Sequence, residues 1–310
     1  MLARALRVGQ LIELVACLAA GAWLHARHGW GALAVALGVA AWFAGSRLAA
    51  VMFMASLAWI HRSPRAAEER IGFLGGLRLV GGEWRALFTS NLLYLPWERF
   101  VLRPDPQPAP TARAPVILLH GYLANRGYFH PLVRRLEARG IAPVFVPTAS
   151  GVLYPIERYA DELHGHIERI VAATGQARVV LVGHSMGGLV ARAYVAKHGP
   201  ARVARVVTLG APHHGSWLAR LGPGANAREM RPGSAFLVDL ERREAQARSP
   251  VAASIYSPHD NMVMPQASSR VEGARNIALA GLGHIAMLGS PRLAEALLAE
   301  LTQAGAAPAR

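Results

Sequence analysis

Cysteine is almost absent from the chain: Cys17 stands alone, inside an apolar stretch. An intrachain disulfide is thereby excluded, and with it any fold built on a disulfide framework. A disulfide-free protein can work on either side of a membrane, so the scarcity does not choose a compartment. Lysine is equally scarce, Lys197 being the only one. The formal charge of +14 is therefore an arginine charge. The arginines are scattered, not gathered into one stripe with interleaved aromatics, so no nucleic-acid partner is expected, whereas attraction to anionic lipid headgroups is. Internal repeats and low-complexity blocks are missing too, which excludes a solenoid.

What is present is apolar bulk, 53% of 310 residues, enough for one α/β domain of about 200 residues with roughly a hundred left over. The surplus lies at the N-terminus. Val8 to Leu24 is nearly uninterrupted apolar sequence, broken by Gln10 and Glu13 and flanked by Arg4, Arg7 and Arg27. A second run, Trp30 to Gly45, follows the turn-like HARHG, and Arg47 separates it from a third, Leu48 to Ile60. The first two have the length and composition of membrane spans; the third is short for one and reads as an interfacial extension. A cleavable signal peptide is the rival reading of the first run, and the presence of the second argues against it. A soluble apolar helical hairpin is the other alternative. Arginines precede the first run and follow the second, so the positive-inside rule favours a hairpin with both ends, and the domain that follows, on the cytoplasmic side.

The chain divides on this reading into a membrane anchor (1–61), a connecting amphipathic region (62–103), a Pro-rich linker (104–115) and a catalytic domain (116–310). WRALFTSNLLYLPWERF, in the connecting region, predicts an amphipathic helix ended by Pro96, suited either to a membrane interface or to packing on the domain. PDPQPAPTARAP predicts an extended, semi-rigid link.

Beyond it, short aliphatic runs alternate with helical segments. PVILLH, APVFVPT, RVVLVGHS, RVARVVTLGAP, AASIYS and ARNIALAG predict strands. YFHPLVRRLEARG, ERYADELHGHIERIVAATG, MGGLVARAYVAKHG, SAFLVDLERREAQ and PRLAEALLAELTQAG predict helices. Strands with both faces apolar, alternating with helices, imply an α/β fold with a mostly parallel, doubly wound sheet.

Gly183-His184-Ser185-Met186-Gly187 fits G-x-S-x-G, in which small residues two positions either side of a serine permit a sharp strand-to-helix turn that presents the hydroxyl. The pentapeptide alone is a weak signal. Its context is not, because a strand precedes it and a helix follows. A serine nucleophile needs a base, and the base an orienting acid, in the chain order serine, acid, histidine. Asp260, in SPHDN after the strand AASIYS, and His284, in GLGHIAM after ARNIALAG, supply that order at strand ends, the edge where an open α/β sheet places its site. Taken singly, Asp260 could be a turn former and His284 a surface loop histidine. Asp239 and Glu241 are fallback acids on a helical stretch. An acyl-transfer site also needs donors for the developing oxyanion. The backbone N–H groups of Met186 and, in the His120-Gly121-Tyr122 turn, of Tyr122 are the candidates, His120 itself being structural.

His213 and His214 in APHHGS invite a metal reading, but adjacent side chains rarely converge on one ion and no further ligand lies at suitable spacing. His164 and His166, two apart on a helix, point to different faces. No metal and no cofactor is called for. The Arg-rich segment 216–249, between two strands, is placed to cap the site and shape an acyl pocket, or else is a plain connection.

From Pro115 to the C-terminus the motifs HGY, GHSMGG and TLGAPHHGS resemble bacterial lipases and esterases of the α/β-hydrolase superfamily. So does SIYSPHDNMVMPQASSRVEGARNIALAGLGHIAML, which carries both acid and base. The resemblance implies the α/β-hydrolase fold, a triad of Ser185, Asp260 and His284, an oxyanion hole at Tyr122 and Met186, and a lipophilic acyl ester as substrate. The apolar N-terminus departs from secreted lipases, and Gly183 stands in the first place of the pentapeptide, where some lid-less members carry alanine. An anchored enzyme of a bacterial inner membrane, in contact with membrane lipid, is expected instead. An acyltransferase with the same triad, a peptidase or amidase of the same fold, and a catalytically silent scaffold are the competing functions.

Overall fold

Helix α1 (Leu2–His28) and helix α2 (Ala32–Ile60) open the chain. They turn about Gly29, whose left-handed φ of 68° lets its N–H reach the His25 carbonyl. The structure is a computed structural model that describes residues 1–245 and 251–306. Both helices are long and apolar enough to cross a membrane. Gly21, Val51 and Ala58 are their only buried residues, so most of the apolar side chains face outward. The helices approach closely at Gly21, where a Cβ would stand 2.3 Å from Val35 Cγ1.

Arg47 does not break α2, so the second and third apolar runs form one continuous helix. The reason is local pairing: the guanidinium makes an ion pair with Glu13 on α1, Nη2 to Oε2 at 2.7 Å, and donates to Asn91 Oδ1 at 3.0 Å. A buried or lipid-facing charge is tolerated inside a helix when its donors are met in this way.

Residues 62–103 do not form a free connector. Helix α3 (Phe73–Thr89) begins earlier than the amphipathic pattern suggests, runs into a π turn (Ser90–Tyr94), and is followed past Pro96 by the short helix α4 (Glu98–Val101). The layer lies between α2 and the sheet domain. Trp84 Nε1 donates to the Ala44 carbonyl, and Asn125 Nδ2 donates to the Leu95 carbonyl at 2.8 Å. The Pro-rich stretch lacks regular structure and is tied down. Asp105 pairs with Arg126 and accepts from the Val146 N–H, and Ala114 donates to the Gly305 carbonyl.

Among the described residues the remainder is built on a six-stranded, wholly parallel sheet. Its strands are β1 (Val116–Leu119), β2 (Val144–Phe145), β3 (Val179–His184), β4 (Val203–Leu209), β5 (Val251–Tyr256) and β6 (Arg275–Ala278), in the order β2-β1-β3-β4-β5-β6. Crossover helices α5 (His130–Glu137), α6 (Ile156–Thr174), α7 (Met186–His198) and α10 (Pro291–Gln303) cover its faces. Alternation along each strand sorts the core into two layers. Val116, Leu118, Val180 and Val182 pack with α5 and α10; Ile117, Leu119, Val179 and Leu181 pack with α6 and α7. The predicted α/β class, strand set and parallel sense are all present. Between β4 and β5 the chain makes a 3-10 turn (Trp217–Arg220), helix α8 (Ala225–Glu229) and helix α9 (Ala235–Ala245). Residues 246–249, the end of the expected cap, and Gln246, the end of the expected helix, lie outside the described residues.

Candidate active site

β3 delivers Ser185 to the carboxyl edge of the sheet and α7 begins at the next residue. Ser185 adopts φ 56° and ψ −126°, a backbone state that costs a non-glycine residue about 1–3 kcal/mol and persists only where its surroundings enforce it. Two close approaches explain the flanking glycines. A Cβ at Gly183 would lie 2.5 Å from the backbone of Gly187 and Gly188, and one at Gly187 would lie 2.1 Å from the Leu119 carbonyl oxygen. The Ser185 N–H donates to the Leu209 carbonyl at 2.9 Å, fastening the turn to the end of β4.

Asp260 and His284 sit past the ends of β5 and β6, 1% and 2% exposed. His284 Nδ1 meets Asp260 Oδ2 at 2.7 Å. The other carboxylate oxygen, Oδ1, accepts the N–H groups of Met262 and Val263, both at 2.8 Å. Asp260 is therefore both a turn former and the partner of the histidine, and His284 is no surface residue. Its backbone N–H donates to Asn261 Oδ1 at 3.0 Å. Two contacts place the pair beside the serine turn. A Cβ at Gly210, the residue after Leu209, would stand 3.2 Å from Asp260 Oδ2. The rings of His184 and His284 lie 4.7 Å apart, with His184 Nε2 3.2 Å from the His284 carbonyl oxygen.

Burial works against the charged form of His284, but the Asp260 charge, its hydrogen bond and the Glu83 charge outweigh it, so the imidazole titrates above its ordinary value. His184, buried and next to that ring, is held well below its ordinary value, by burial first and by His284 second, and stays neutral. With Nδ1–H given to Asp260, Nε2 of a neutral His284 is the basic nitrogen.

The Gly121 turn lies against the serine: a Cβ there would be 2.9 Å from Ser185 Cβ and 3.3 Å from its Oγ. Neither the Tyr122 N–H nor the Met186 N–H donates a hydrogen bond among the described residues. Tyr122 Oη instead reaches over to the Pro223 carbonyl at 2.7 Å, and Asn226 Nδ2 donates to Val152 at 3.0 Å, so the segment after β4 closes over the turn. Leu123, Leu153, Trp217 and Leu221 form an exposed apolar rim there. Trp217 stacks on His61, at the end of α2, with ring centroids 4.6 Å apart.

The fallback acids are elsewhere: Asp239 pairs with Arg242 and Arg243, and Glu241 with His214. His213 is buried against Thr208 Oγ1 at 2.9 Å, and His164 stacks on His198. His166 contacts Arg169, and His120 Nδ1 lies 3.1 Å from the Gly121 carbonyl. Among the described residues no group of three or more His, Cys, Asp or Glu is arranged for a metal ion.

Sequence reasoning missed Glu83. This glutamate of α3 is 1% exposed, accepts the Ile285 N–H at 3.0 Å and the Ala286 N–H at 2.9 Å, and so holds the loop that carries His284. Gly283 makes room for it, since a Cβ there would come within 2.3 Å of Glu83 Oε2. The available signal was a lone acid on the apolar face of an amphipathic helix, with Leu79, Val80 and Leu87 at helical spacing.

Residues 114–227 match the alpha/beta hydrolase fold family. A triacylglycerol lipase of Pseudarthrobacter phenanthrenivorans is 39% identical over 116 residues, 34% of this chain and 35% of that protein. One of Pseudomonas fragi is 36% identical over 143 residues, 41% of this chain and 48% of that protein. The chain thus spans between a third and a half of these relatives. Among solved structures, Aspergillus fumigatus lipase B superposes with TM-score 0.59 at 15% identity, covering 93% of this chain and 85% of that one. Mature Bacillus licheniformis lipase BlEst2 superposes with TM-score 0.54 at 17% identity, covering 64% of this chain and 95% of that one. These two likenesses concern the fold. Residues 114–227 thus match the alpha/beta hydrolase fold, and the chain is similar over part of its length to bacterial triacylglycerol lipases.

Proposed function

We propose that the protein is a membrane-anchored serine ester hydrolase acting on lipophilic acyl esters. The observation that carries this reading is the buried Asp260–His284 bond of 2.7 Å beside a serine held at φ 56°. In the proposed mechanism Ser185 Oγ attacks the ester carbonyl while His284 Nε2 takes its proton. The tetrahedral oxyanion is met by the N–H groups of Met186 and Tyr122, and His284 returns the proton to the leaving alcohol. Water, deprotonated by the same nitrogen, then releases the acid from the acyl-enzyme. Asp260 orients the ring and stabilises its cation, and Glu83 is a positioning residue acting through the Ile285 and Ala286 amides. The apolar rim favours a lipophilic acyl chain. A fluorophosphonate should label the full-length protein at Ser185, mapped by peptide mass spectrometry, and p-nitrophenyl esters should be turned over faster as the acyl chain lengthens from acetate. No labelling, or activity confined to charged, water-soluble esters such as acetylated sugars, overturns the reading.

Residues 1–61 are proposed as the anchor and 116–310 as the catalytic domain. Two continuous helices put both ends of the hairpin on one side. Arg4, Arg7, Arg62, Arg65 and Arg70 flank those ends, against Arg27 alone at the turn, and this arginine bias supports a cytoplasmic catalytic domain. A C-terminal fluorescent fusion is expected to fluoresce and a C-terminal alkaline phosphatase fusion to be inactive; an active phosphatase reverses the orientation.

A further inference from the structure

A cleft of about 580 Å³, lined in part by Asp260, opens between the second half of α2, α3 and the acid loop. Its volume lies within the roughly 300–1,000 Å³ of small-molecule sites. Its walls are mostly apolar, with Val51, Ala55 and Trp59 from one side and Ile71, Leu77 and Val80 from the other; Glu83 and Asp260 also line it, their carboxylates engaged with the Ile285 and Ala286 N–H groups and with His284. Trp59 and Leu77 are exposed at its margin, on the helices that carry the outward apolar surface.

One end is polar and unsatisfied. His259, 4% exposed, accepts the Gly281 N–H on Nδ1, which leaves Nε2 as the protonated nitrogen of a neutral ring; that N–H is buried without a partner. The ring is neutral because burial first, and Arg65 second, push its pKa down to about 4. Asn261, 6% exposed, accepts the His284 N–H on Oδ1, which fixes its amide so that Nδ2 faces the other way, buried and again unpartnered. Arg65 also lines the cleft, donating Nε to the Pro258 carbonyl at 2.8 Å, and makes no ion pair with any carboxylate among the described residues. Two buried N–H donors and a guanidinium without an ion pair, all on residues lining one apolar cleft, form a costly arrangement if left empty. Their shared demand is for an anionic oxygen acceptor carrying a long apolar tail.

We infer that this cleft binds a single-chain fatty acid, its carboxylate held by Arg65, His259 Nε2–H and Asn261 Nδ2–H and its chain lying between α2 and α3. The cleft shares Asp260 with the proposed triad but none of the apolar rim at Leu123, Leu153, Trp217 and Leu221. The inference does not rest on Ser185 being reactive.

The test uses full-length Ser185→Ala protein in detergent, with cis-parinaric acid as a fluorescent probe and oleate as competitor. Saturable binding of one probe per chain is expected, weakened about tenfold or more by Arg65→Gln and restored by Arg65→Lys, since one charge-assisted contact is lost and regained. Methyl parinarate, which has the chain without the charge, should bind at least about tenfold more weakly than the acid. Ala55→Trp, which fills the cleft from α2, should abolish binding without lowering the thermal midpoint below that of Arg65→Gln. Equal binding to all variants identifies partition into the detergent or the apolar surface and overturns the site. So does loss of parinarate binding in wild-type protein whose Ser185 carries a long-chain phosphonate, because the fatty acid would then occupy the catalytic pocket. A lysophosphatidate that outcompetes oleate would replace the carboxylate with a phosphate head and overturn the choice of ligand.

Discussion

Ser185→Ala and His284→Ala are each expected to lower kcat for a p-nitrophenyl butyrate by about 10⁶-fold, and Asp260→Asn by about 10⁴-fold, measured on detergent-solubilised protein. The two large losses should be nearly equal, because the nucleophile and its base act as one unit: neither transfers the proton without the other. The double variant should be no worse than either single one. Asp260→Asn is milder since His284 remains, but it disturbs two things together. An amide can present its N–H to Nδ1 and so favour the wrong imidazole tautomer, or present its oxygen and still lose the charge that stabilises the imidazolium. Asp260 Oδ1 also closes the turn through Met262 and Val263, so part of the loss should appear as lowered thermal stability. The wild-type rate should fall toward acid pH as His284 gains its proton, with a limb above the ordinary histidine value, because Asp260 and Glu83 raise its pKa against burial. Near-normal turnover by Ser185→Ala removes the serine from the mechanism altogether.

The parts of this site that were legible beforehand share one property: their chemistry is written within a few residues of a strand end. RVVLVGHS passing into MGGLVARAYV is a strand, a turn that only glycines permit, and a helix, all contiguous, and the structure places Ser185 in that setting at φ 56°. Asp260 and His284 were legible as candidates because parallel strands deliver their carboxyl ends to one edge, whatever lies between them in sequence. The sheet itself was readable because strands buried on both faces are uniformly aliphatic. Arg47 misled the helix reading for a different reason. Charge in an apolar run signals a break only when its partner is unknown, and Glu13 lies 34 residues away. Glu83 was invisible on the same grounds, since its partners are backbone amides 202 and 203 residues along the chain. The cleft donors of His259 and Asn261 could not be read either. That they are unpartnered follows from which ring nitrogen and which amide atom the Gly281 and His284 N–H groups select.

Glu83→Ala is expected to destabilise the folded protein by about 2–6 kcal/mol, because the buried N–H groups of Ile285 and Ala286 each lose their acceptor at about 1–3 kcal/mol apiece. Thermal unfolding measures this. Glu83→Gln is the more informative variant. Its one amide oxygen can still accept, while its NH₂ opposes the second backbone N–H, so the loop is weakened without being emptied. The His284 ring sits on the residue immediately before Ile285, and displacement of a base by a fraction of an ångström to an ångström costs about ten- to a hundredfold in rate. kcat should therefore fall in that range with KM nearly unchanged, as the acyl rim is untouched. The pH profile separates this role from a purely structural one. Burial pushes the Glu83 carboxyl up, but the two backbone donors favour its ionised form, and that charge helps hold His284 above its ordinary value. Removing the charge lowers the stability of the imidazolium, so the pKa of His284 drops and the acid limb of kcat/KM moves to lower pH. A Glu83→Gln enzyme with reduced stability but wild-type kcat and an unmoved acid limb would show that α3 only braces the fold. A lowered kcat with a displaced limb ties the layer between the apolar helices and the sheet directly to the base that takes the serine proton.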